Sequence, residues 1–289
     1  MALVTNQKRI FIMKFKIVTD SAADIKALDG IDFASVPLKI ITDEREYVDD
    51  ISLDVVDMLA GMKKYKGRSR SSCPNTQEFL SAFGDAENIF CITITSNLSG
   101  SFNAAVIAAK NYTDEHPDRH VHVIDSLSTG PENALIIEKL RELILSGKDF
   151  DTVRSEIIGY HQHTRLIFAL ESMNNLANNG RVSPIVAKMA GILGIRAVGR
   201  ASDVGTLEMT SKNRGMQNTV SQILNDMISE GYSGGRVKIH HADNTAAAEL
   251  MKSRITEKFP GAAIDVALTG GLCSFYAEQG GLLVGFEIN

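Results

Sequence analysis

The sequence lacks the features that mark several large classes of protein. It contains no tryptophan and only three cysteines, Cys73, Cys91 and Cys273, which form no CxxC pair and so indicate neither a disulfide framework nor a zinc site. No apolar run approaches the roughly 20 residues that a membrane-spanning helix needs. The formal net charge of −5 argues against nucleic acid or an anionic membrane as a partner. These absences predict a protein of the reducing cytoplasm.

Motifs for cofactors and metals are missing as well. No GxGxxG follows a predicted strand and no GxxxxGK[ST] is present, which argues against a dinucleotide enzyme and against a P-loop enzyme. We assign surface or capping roles to the histidines other than His241, which stays a candidate catalytic base. We therefore expect neither a metal nor a cofactor.

The first half of the chain alternates between strand and helix patterns. Apolar runs predict strands at residues 15–19, 35–41, 89–95 and 120–124. Helical spacing predicts helices at residues 54–65 and 76–83, and a further helix that starts at Pro131. Such alternation predicts a parallel sheet that is flanked by helices.

The second half predicts a mixed sheet. Residues 150–161, 216–228 and 245–258 have helical patterns, and strands are predicted at 166–170, 237–240, 263–268 and 282–288. A strand at 206–211 should pair back on residues 195–198. A length of 289 residues favours about two domains. We therefore predict a two-domain α/β protein with an N-terminal extension at 1–12, an N-terminal domain at 13–163 and a C-terminal domain at 164–289.

The segment at residues 91–102 gives the strongest indication of a binding site. A β-branched run breaks at Thr95 and Ser96, and the chain turns helical from Ser99. The N-terminus of a helix presents unpaired N–H groups and a partial positive charge, and the three hydroxyls add donors there. Ser99 alone is also explained as an N-cap, but that explanation does not extend to Thr95 and Ser96.

Hydroxyl groups also follow other predicted strands. Ser21 and Ser126 come directly after strands, and Ser71-Ser72 precedes a helix. Ligands of open parallel sheets bind beyond the carboxyl ends of the strands, so these groups should face one crevice. None of these motifs contains Lys or Arg, which a phosphate dianion would normally recruit, so the pattern favours a carboxylate. Asp20 and Asp24 follow the first strand, where capping is the simpler role.

Taken in order, five segments resemble the motifs of the DegV family, within residues 15–286. Residues 19–24 are similar to the family's T-D-S-x-A-D, and residues 95–101 to its S-S-x-L-S-G-T. Residues 71–75 resemble [ST]-S-Q-P-S, with Cys73 in place of Gln. Residues 179–183 resemble G-G-R-[IV]-S, with Asn179 in place of the first Gly, and residues 212–214 match Lys-x-Arg.

The C-terminal motif departs further from the family pattern. The family's H-T-G-P-G-A-L-G-V-G-F is similar to residues 276–286, with Tyr276 in place of the head-group histidine. Glu278 brings a negative charge into the same motif. A tyrosine hydroxyl still donates one hydrogen bond to a carboxylate, whereas Glu278 would oppose one if its side chain pointed inward.

The resemblance implies two α/β domains with a long-chain fatty acid buried between them. Characterised members of the family are non-catalytic acyl-binding subunits of a bacterial fatty acid kinase, and they present the carboxylate to a separate ATP-binding protein. On this basis Arg214 would contact that partner. The residues that would hold the carboxylate are Ser71, Ser72, Ser96, Arg181 and Tyr276.

Two alternatives stay open at the level of sequence. One is a serine-dependent acyl hydrolase or transferase in which Ser96 is the nucleophile and His241 or Tyr276 is the base. The other is a binding module for a smaller carboxylate or a phosphosugar. A small polar cavity would favour the second alternative, and a long apolar cavity would favour the fatty acid.

Overall fold

The computed structural model describes residues 14–187 and 194–289. The predicted extension at 1–12 lies outside the described residues. The strands are β1 Phe15–Asp20, β2 Asp32–Val36, β3 Lys39–Ile41, β4 Glu46–Val48, β5 Arg70–Ser72, β6 Asn88–Thr93, β7 His120–Asp125, β8 Thr164–Leu170, β9 Ile195–Ala201, β10 Leu207–Arg214, β11 Arg236–His241, β12 Ala263–Leu268 and β13 Leu282–Glu287.

The helices connect these strands. In chain order they are α1 Val55–Lys64, α2 Thr76–Phe83, α3 Ser101–Glu115, α4 Pro131–Leu145, α5 Phe150–His161, α6 Asn174–Asn178, α7 Pro184–Ala187, α8 Met216–Ser229, α9 Thr245–Lys258 and α10 Gly271–Ala277. No helix within the described ranges is long and apolar enough to cross a membrane.

The first half forms the predicted parallel sheet, with four strands in the order β2-β1-β6-β7. Apolar side chains leave both faces of its central strands. Val18 and Cys91 pack against α2 and α3, while Ile17 and Ile92 pack against α4 and α5. Both faces are therefore covered, which is the usual arrangement for parallel strands.

The second half forms a mixed sheet of six strands in the order β10-β9-β8-β13-β11-β12. Within it β11 and β12 are parallel, and the other pairs are antiparallel. The expected ribbon is confirmed, since β10 pairs back on β9 with Ser211 opposite Val198. The two-sheet α/β class predicted from the sequence is thus confirmed.

One expected element was wrong and one helix was not expected. The predicted strand at 35–41 is two strands in different sheets, because Pro37 fixes its own φ and offers no N–H to a sheet ladder. After Pro37, β3 joins β4 and β5 in a small antiparallel sheet. Helix α10 was not predicted, because its seven residues begin with glycine and span less than the usual periodic window.

Helix α4 lies between the two large sheets. Its residues Ile136 and Ile137 belong to the core under the parallel sheet. Its Glu132 accepts a hydrogen bond from Thr164 of β8 at 2.8 Å, and its Glu138 forms an ion pair with Lys238 of β11 at 2.6 Å. The two halves are therefore packed on a shared helix, and the cavity described next lies where they meet.

Candidate functional site

An apolar cavity of about 280 Å³ lies between the two halves of the molecule. Leu166, Phe168 and Leu170 line it from alternate positions of β8, and these three side chains share one face of the strand. Four residues of strand span about 13 Å, so the cavity is elongated along β8. The remaining apolar lining comes from both halves of the chain, namely Leu38, Ile94, Leu98, Leu176, Leu207, Leu272, Ala277 and Leu283.

Most polar lining residues of the cavity form one group, here called its polar end, while Thr129 lines it separately and donates to the carbonyl of Ala22. Ser71 and Ser72 reach the polar end from β5, and Tyr276 reaches it from α10. Ser99 and Gly100 belong to the turn before α3, and Arg181 follows α6. The structure thus brings together four of the five residues predicted to hold a carboxylate, namely Ser71, Ser72, Arg181 and Tyr276.

Tyr276 is the central donor at this end. Its hydroxyl lies 2.7 Å from Ser71 Oγ, and the Arg181 guanidinium lies 5.9 Å from the centre of its ring. Burial raises the pKa of Tyr276 above its usual value, although the Ser71 hydrogen bond and the Arg181 charge act against that shift. The phenol is therefore neutral at physiological pH and retains its O–H as a donor.

Arg181 donates hydrogen bonds to two backbone carbonyls at the opening of the cavity, here called its mouth. Its Nε donates to the carbonyl of Leu98 at 3.1 Å, and its Nη1 donates to the carbonyl of Asn179. These bonds tie the segment after α6 to the turn that carries Ser99. The guanidinium therefore fixes the mouth and places a positive charge at the polar end.

Ser96 does not line the cavity, although the sequence predicted it as a ligand residue. Its backbone N–H donates to Asp125 Oδ1 at 3.0 Å. Leu98 N and Ser99 N both donate to the carbonyl of Thr95, so the chain turns before the helix and delivers Ser99 to the cavity instead. The expected helix start at Ser99 is also two residues early, since α3 begins at Ser101.

Glu278 is directed away from the cavity. Its carboxylate accepts hydrogen bonds from Ser172 Oγ at 2.8 Å and from Asn175 N at 3.1 Å. Glu278 has a φ of 56°, which turns the chain sharply after α10. The negative charge that the sequence placed in the C-terminal motif is therefore separated from the polar end.

Carboxylates from the first half hold α10 in place. Asp24 accepts from Gly270 N at 2.8 Å, and Asp49 accepts from Gly271 N at 2.8 Å and Leu272 N at 3.0 Å. Asp24 thus binds the N-terminus of a helix, although not at the local turn that the sequence indicated, since that helix lies 246 residues further along the chain. These bonds orient the helix that carries Tyr276, and no short-range pattern revealed them.

Both Cys73 and Cys273 also line the cavity, which the sequence did not indicate. Burial raises the pKa of Cys273 well above its usual value, so its thiol is neutral and acts as part of the apolar wall. Cys73 is exposed at the mouth, beside Gly100.

A basic segment leads into the site. Residues 63–70 contain five exposed cationic side chains, and none of them forms an ion pair with the described residues. The net charge of −5 for the whole chain gives no indication of this local excess of positive charge. The members of the segment are Lys63, Lys64, Lys66, Arg68 and Arg70.

Arg214 is not part of the cavity lining. It is the last residue of β10, two positions after Lys212, which pairs with Ala197 of β9. Ala197 in turn pairs with Leu170 of the cavity lining, so Lys212 and Leu170 are about 10 Å apart across the sheet. Arg214 is exposed, so its predicted contact with a partner stays a prediction.

The geometry does not support a serine hydrolase. The hydrogen bonds of the described residues include none between Ser96 Oγ and His241 or Tyr276. Residues 231–235 do match GxSxG, but they connect α8 to β11, whereas a nucleophile elbow connects a strand to a helix. No group of three or more His, Cys, Asp or Glu side chains within 14–187 and 194–289 could hold a metal ion.

The fold and the cavity define the chain as a two-sheet α/β protein built around an apolar cavity with one polar end. The family model described as "uncharacterised protein, DegV family" matches residues 14–288. The chain belongs to the DegV family.

Similar proteins cover almost the whole chain. A DegV domain-containing protein of Streptococcus pneumoniae is 43% identical over 281 residues, which are 96% of this chain and 100% of that protein. The crystal structure of the S. pneumoniae fatty acid kinase (Fak) B3 protein loaded with linoleic acid has a TM-score of 0.94 and 43% identity, and covers 96% of this chain and 100% of that one. A DegV family protein from Eubacterium eligens loaded with heptadecanoic acid has a TM-score of 0.93 and 43% identity, covering 95% and 100%.

Proposed function

We propose that this chain binds a long-chain fatty acid in the apolar cavity and presents its carboxylate to a separate kinase, which forms the acyl phosphate. The observation that carries the proposal is the elongated apolar lining along β8 with hydroxyls gathered at one end. That arrangement matches an amphipathic molecule with a long tail and one small anionic head. A smaller carboxylate or a phosphosugar would leave most of this apolar wall without a partner.

Magnitudes support the tail as the main source of affinity. Burying 14 methylenes contributes roughly 11 kcal/mol at about 0.8 kcal/mol each. Association costs an estimated ~4–15 kcal/mol, which offsets much of that gain. A hydroxyl contact contributes about 1 kcal/mol, so the serines and Tyr276 orient the head group and cannot replace the tail.

The residues that we assign to the carboxylate differ at one position from the set expected from the sequence. Ser71, Ser72 and Tyr276 supply hydroxyl donors, and Arg181 supplies positive charge. Ser99 takes the place that the sequence gave to Ser96, because the turn after Thr95 delivers Ser99 to the cavity.

The kinase step belongs to the same proposal. The protein is the non-catalytic member of the pair, and its role is to hold the carboxylate at the mouth within reach of the ATP-binding partner. The 43% identity to a protein named as a fatty acid kinase B3 protein supports this role. Because the partner uses ATP, the proposal also places the pair in the cytoplasm.

Organic extraction and mass spectrometry of the purified protein test the first half of this proposal. The expected result is a long-chain fatty acid in about equimolar amount. In Ala277→Phe, which fills the cavity, the recovered amount should fall, whereas the exposed helix position in Ala246→Phe should leave it unchanged. Thermal unfolding of both variants checks that they are folded. Recovery of only sugars or phosphates over several preparations would overturn the proposal.

A further inference from the structure

Asp20 is a buried carboxyl group bonded to both ends of the turn that carries Ser99. It is the last residue of β1 and has no exposed surface. One of its oxygens, Oδ2, accepts hydrogen bonds from Ile94 N at 3.0 Å and from Ser101 Oγ at 2.5 Å. Its Oδ1 has no hydrogen-bond partner among the described residues. The two bonds therefore converge on a single atom.

Those two donors stand at the two ends of one turn. Ile94 follows β6 and lines the cavity, and Ser101 is the first residue of α3. Between them lie Leu98, Ser99 and Gly100, which line the cavity close to its polar end. Oδ2 of Asp20 thus connects the start and the end of the segment that delivers Ser99. Asp20 itself is absent from the lining, so it acts on a ligand only through this segment.

The electrostatic surroundings of Asp20 oppose a charged carboxylate. Burial is the largest cause and raises the pKa of Asp20 to about 7, and the nearby Asp49 carboxylate adds to the shift. The bonds from Ser101 and Ile94, together with the nearby backbone N–H of Ala22, act in the opposite direction. Asp49 itself is paired with Lys26 at 2.6 Å, and the buried Cys91 thiol also faces Asp20. A side chain with such poor solvation needs the two hydrogen bonds that it receives.

We propose that Asp20 is a positioning residue that fixes residues 94–101 in the conformation that binds a carboxylate head group. The inference rests on the proposed function, since it assigns a role in holding that ligand. It predicts that loss of the carboxyl affects recognition of the head group and leaves contacts with the acyl tail in place. Most of the apolar lining lies outside residues 94–101, which contribute Ile94 and Leu98 to it.

Titration with a C16 fatty acid and with the C16 fatty alcohol separates the two effects. Asp20→Ala should weaken binding of the acid about tenfold and change binding of the alcohol less than twofold. Asp20→Asn retains one acceptor oxygen for Ile94 N and Ser101 Oγ, so it should restore acid binding to within threefold of the wild type. The exposed Asp32 gives a matched control, and Asp32→Ala should change neither affinity.

Ser101→Ala tests the same idea without removing the buried carboxyl. It should lower the affinity for the acid by a smaller factor, and in the background of Asp20→Ala it should have no further effect. Equal losses for acid and alcohol in both variants would overturn the inference, as would wild-type binding of the acid by Asp20→Ala. If the wild type binds neither compound, the proposed function fails and the inference fails with it.

Discussion

Removal of the Tyr276 hydroxyl gives the sharpest test of the polar end. In the structure this hydroxyl lies 2.7 Å from Ser71 Oγ, and both residues line the cavity. With a carboxylate bound, Tyr276 would donate to it while accepting from Ser71. A hydrogen bond of this kind contributes about 1 kcal/mol, so Tyr276→Phe should raise the Kd for a fatty acid roughly fivefold.

The pH dependence of binding distinguishes the phenol from an imidazole. Because burial raises the pKa of Tyr276, the phenol itself adds no titration between about pH 6 and 8, so Tyr276→Phe should show the same pH dependence as the wild type. In Tyr276→His the imidazole gains a proton below about pH 6.5, and the resulting charge attracts the carboxylate. The affinity of that variant should therefore rise as the pH falls.

Fluorescence displacement or calorimetry with one fatty acid measures both effects. Tyr65→Phe provides the matched control, because the Tyr65 hydroxyl bonds to Asp43 and does not line the cavity. The double variant Ser71→Ala/Tyr276→Phe should show coupling of about 0.5–3 kcal/mol between the two sites. Unchanged affinity in Tyr276→Phe would show that the head group does not meet this hydroxyl. A loss of affinity in Tyr65→Phe as large as that in Tyr276→Phe would also refute the reasoning.

Three further predictions follow from the cavity, the surface and the buried carboxyl. Leu166 lines both the apolar cavity and a second cavity of about 390 Å³ that Thr164 also lines. Leu166→Ala should therefore shift the extracted fatty acids to longer chains, whereas Leu170→Ala should not, because Leu170 does not line the second cavity. Arg214→Ala should leave the fatty acid Kd near wild type and lower acyl phosphate formation with the kinase, whereas equal losses would count against a partner contact. Burial raises the pKa of Asp20 from its usual 3.8 to about 7 in the folded protein, so stability should fall as the pH rises from about 4 to 7, by up to about 4 kcal/mol. In chemical unfolding, the stability of Asp20→Asn should not fall with pH over this range. A fall as large as that of the wild type would contradict the assignment to Asp20.

The sequence by itself determined most of the local structure. The bounds of α2, α5 and α9, the parallel sheet and the β9–β10 ribbon all follow from periodicity over short windows. Those signals are local, so a single sequence carries them. The hydroxyls expected to share one crevice are only partly brought together: Ser71, Ser72 and Ser99 line the cavity, whereas Ser21 Oγ accepts from Leu38 N and Ser126 Oγ donates to the carbonyl of Ser128.

Tertiary structure alone decided which groups meet at the cavity. Ser99 replaces Ser96 at the polar end because the turn after Thr95 rotates the chain, and Glu278 is withdrawn because Ser172 and Asn175 bind it. The partners of α10 are even more distant, since its N-terminus is held by carboxylates more than 220 residues earlier. Periodicity reports which face of an element is apolar, whereas side-chain direction at a turn and pairing across hundreds of residues depend on how the elements pack.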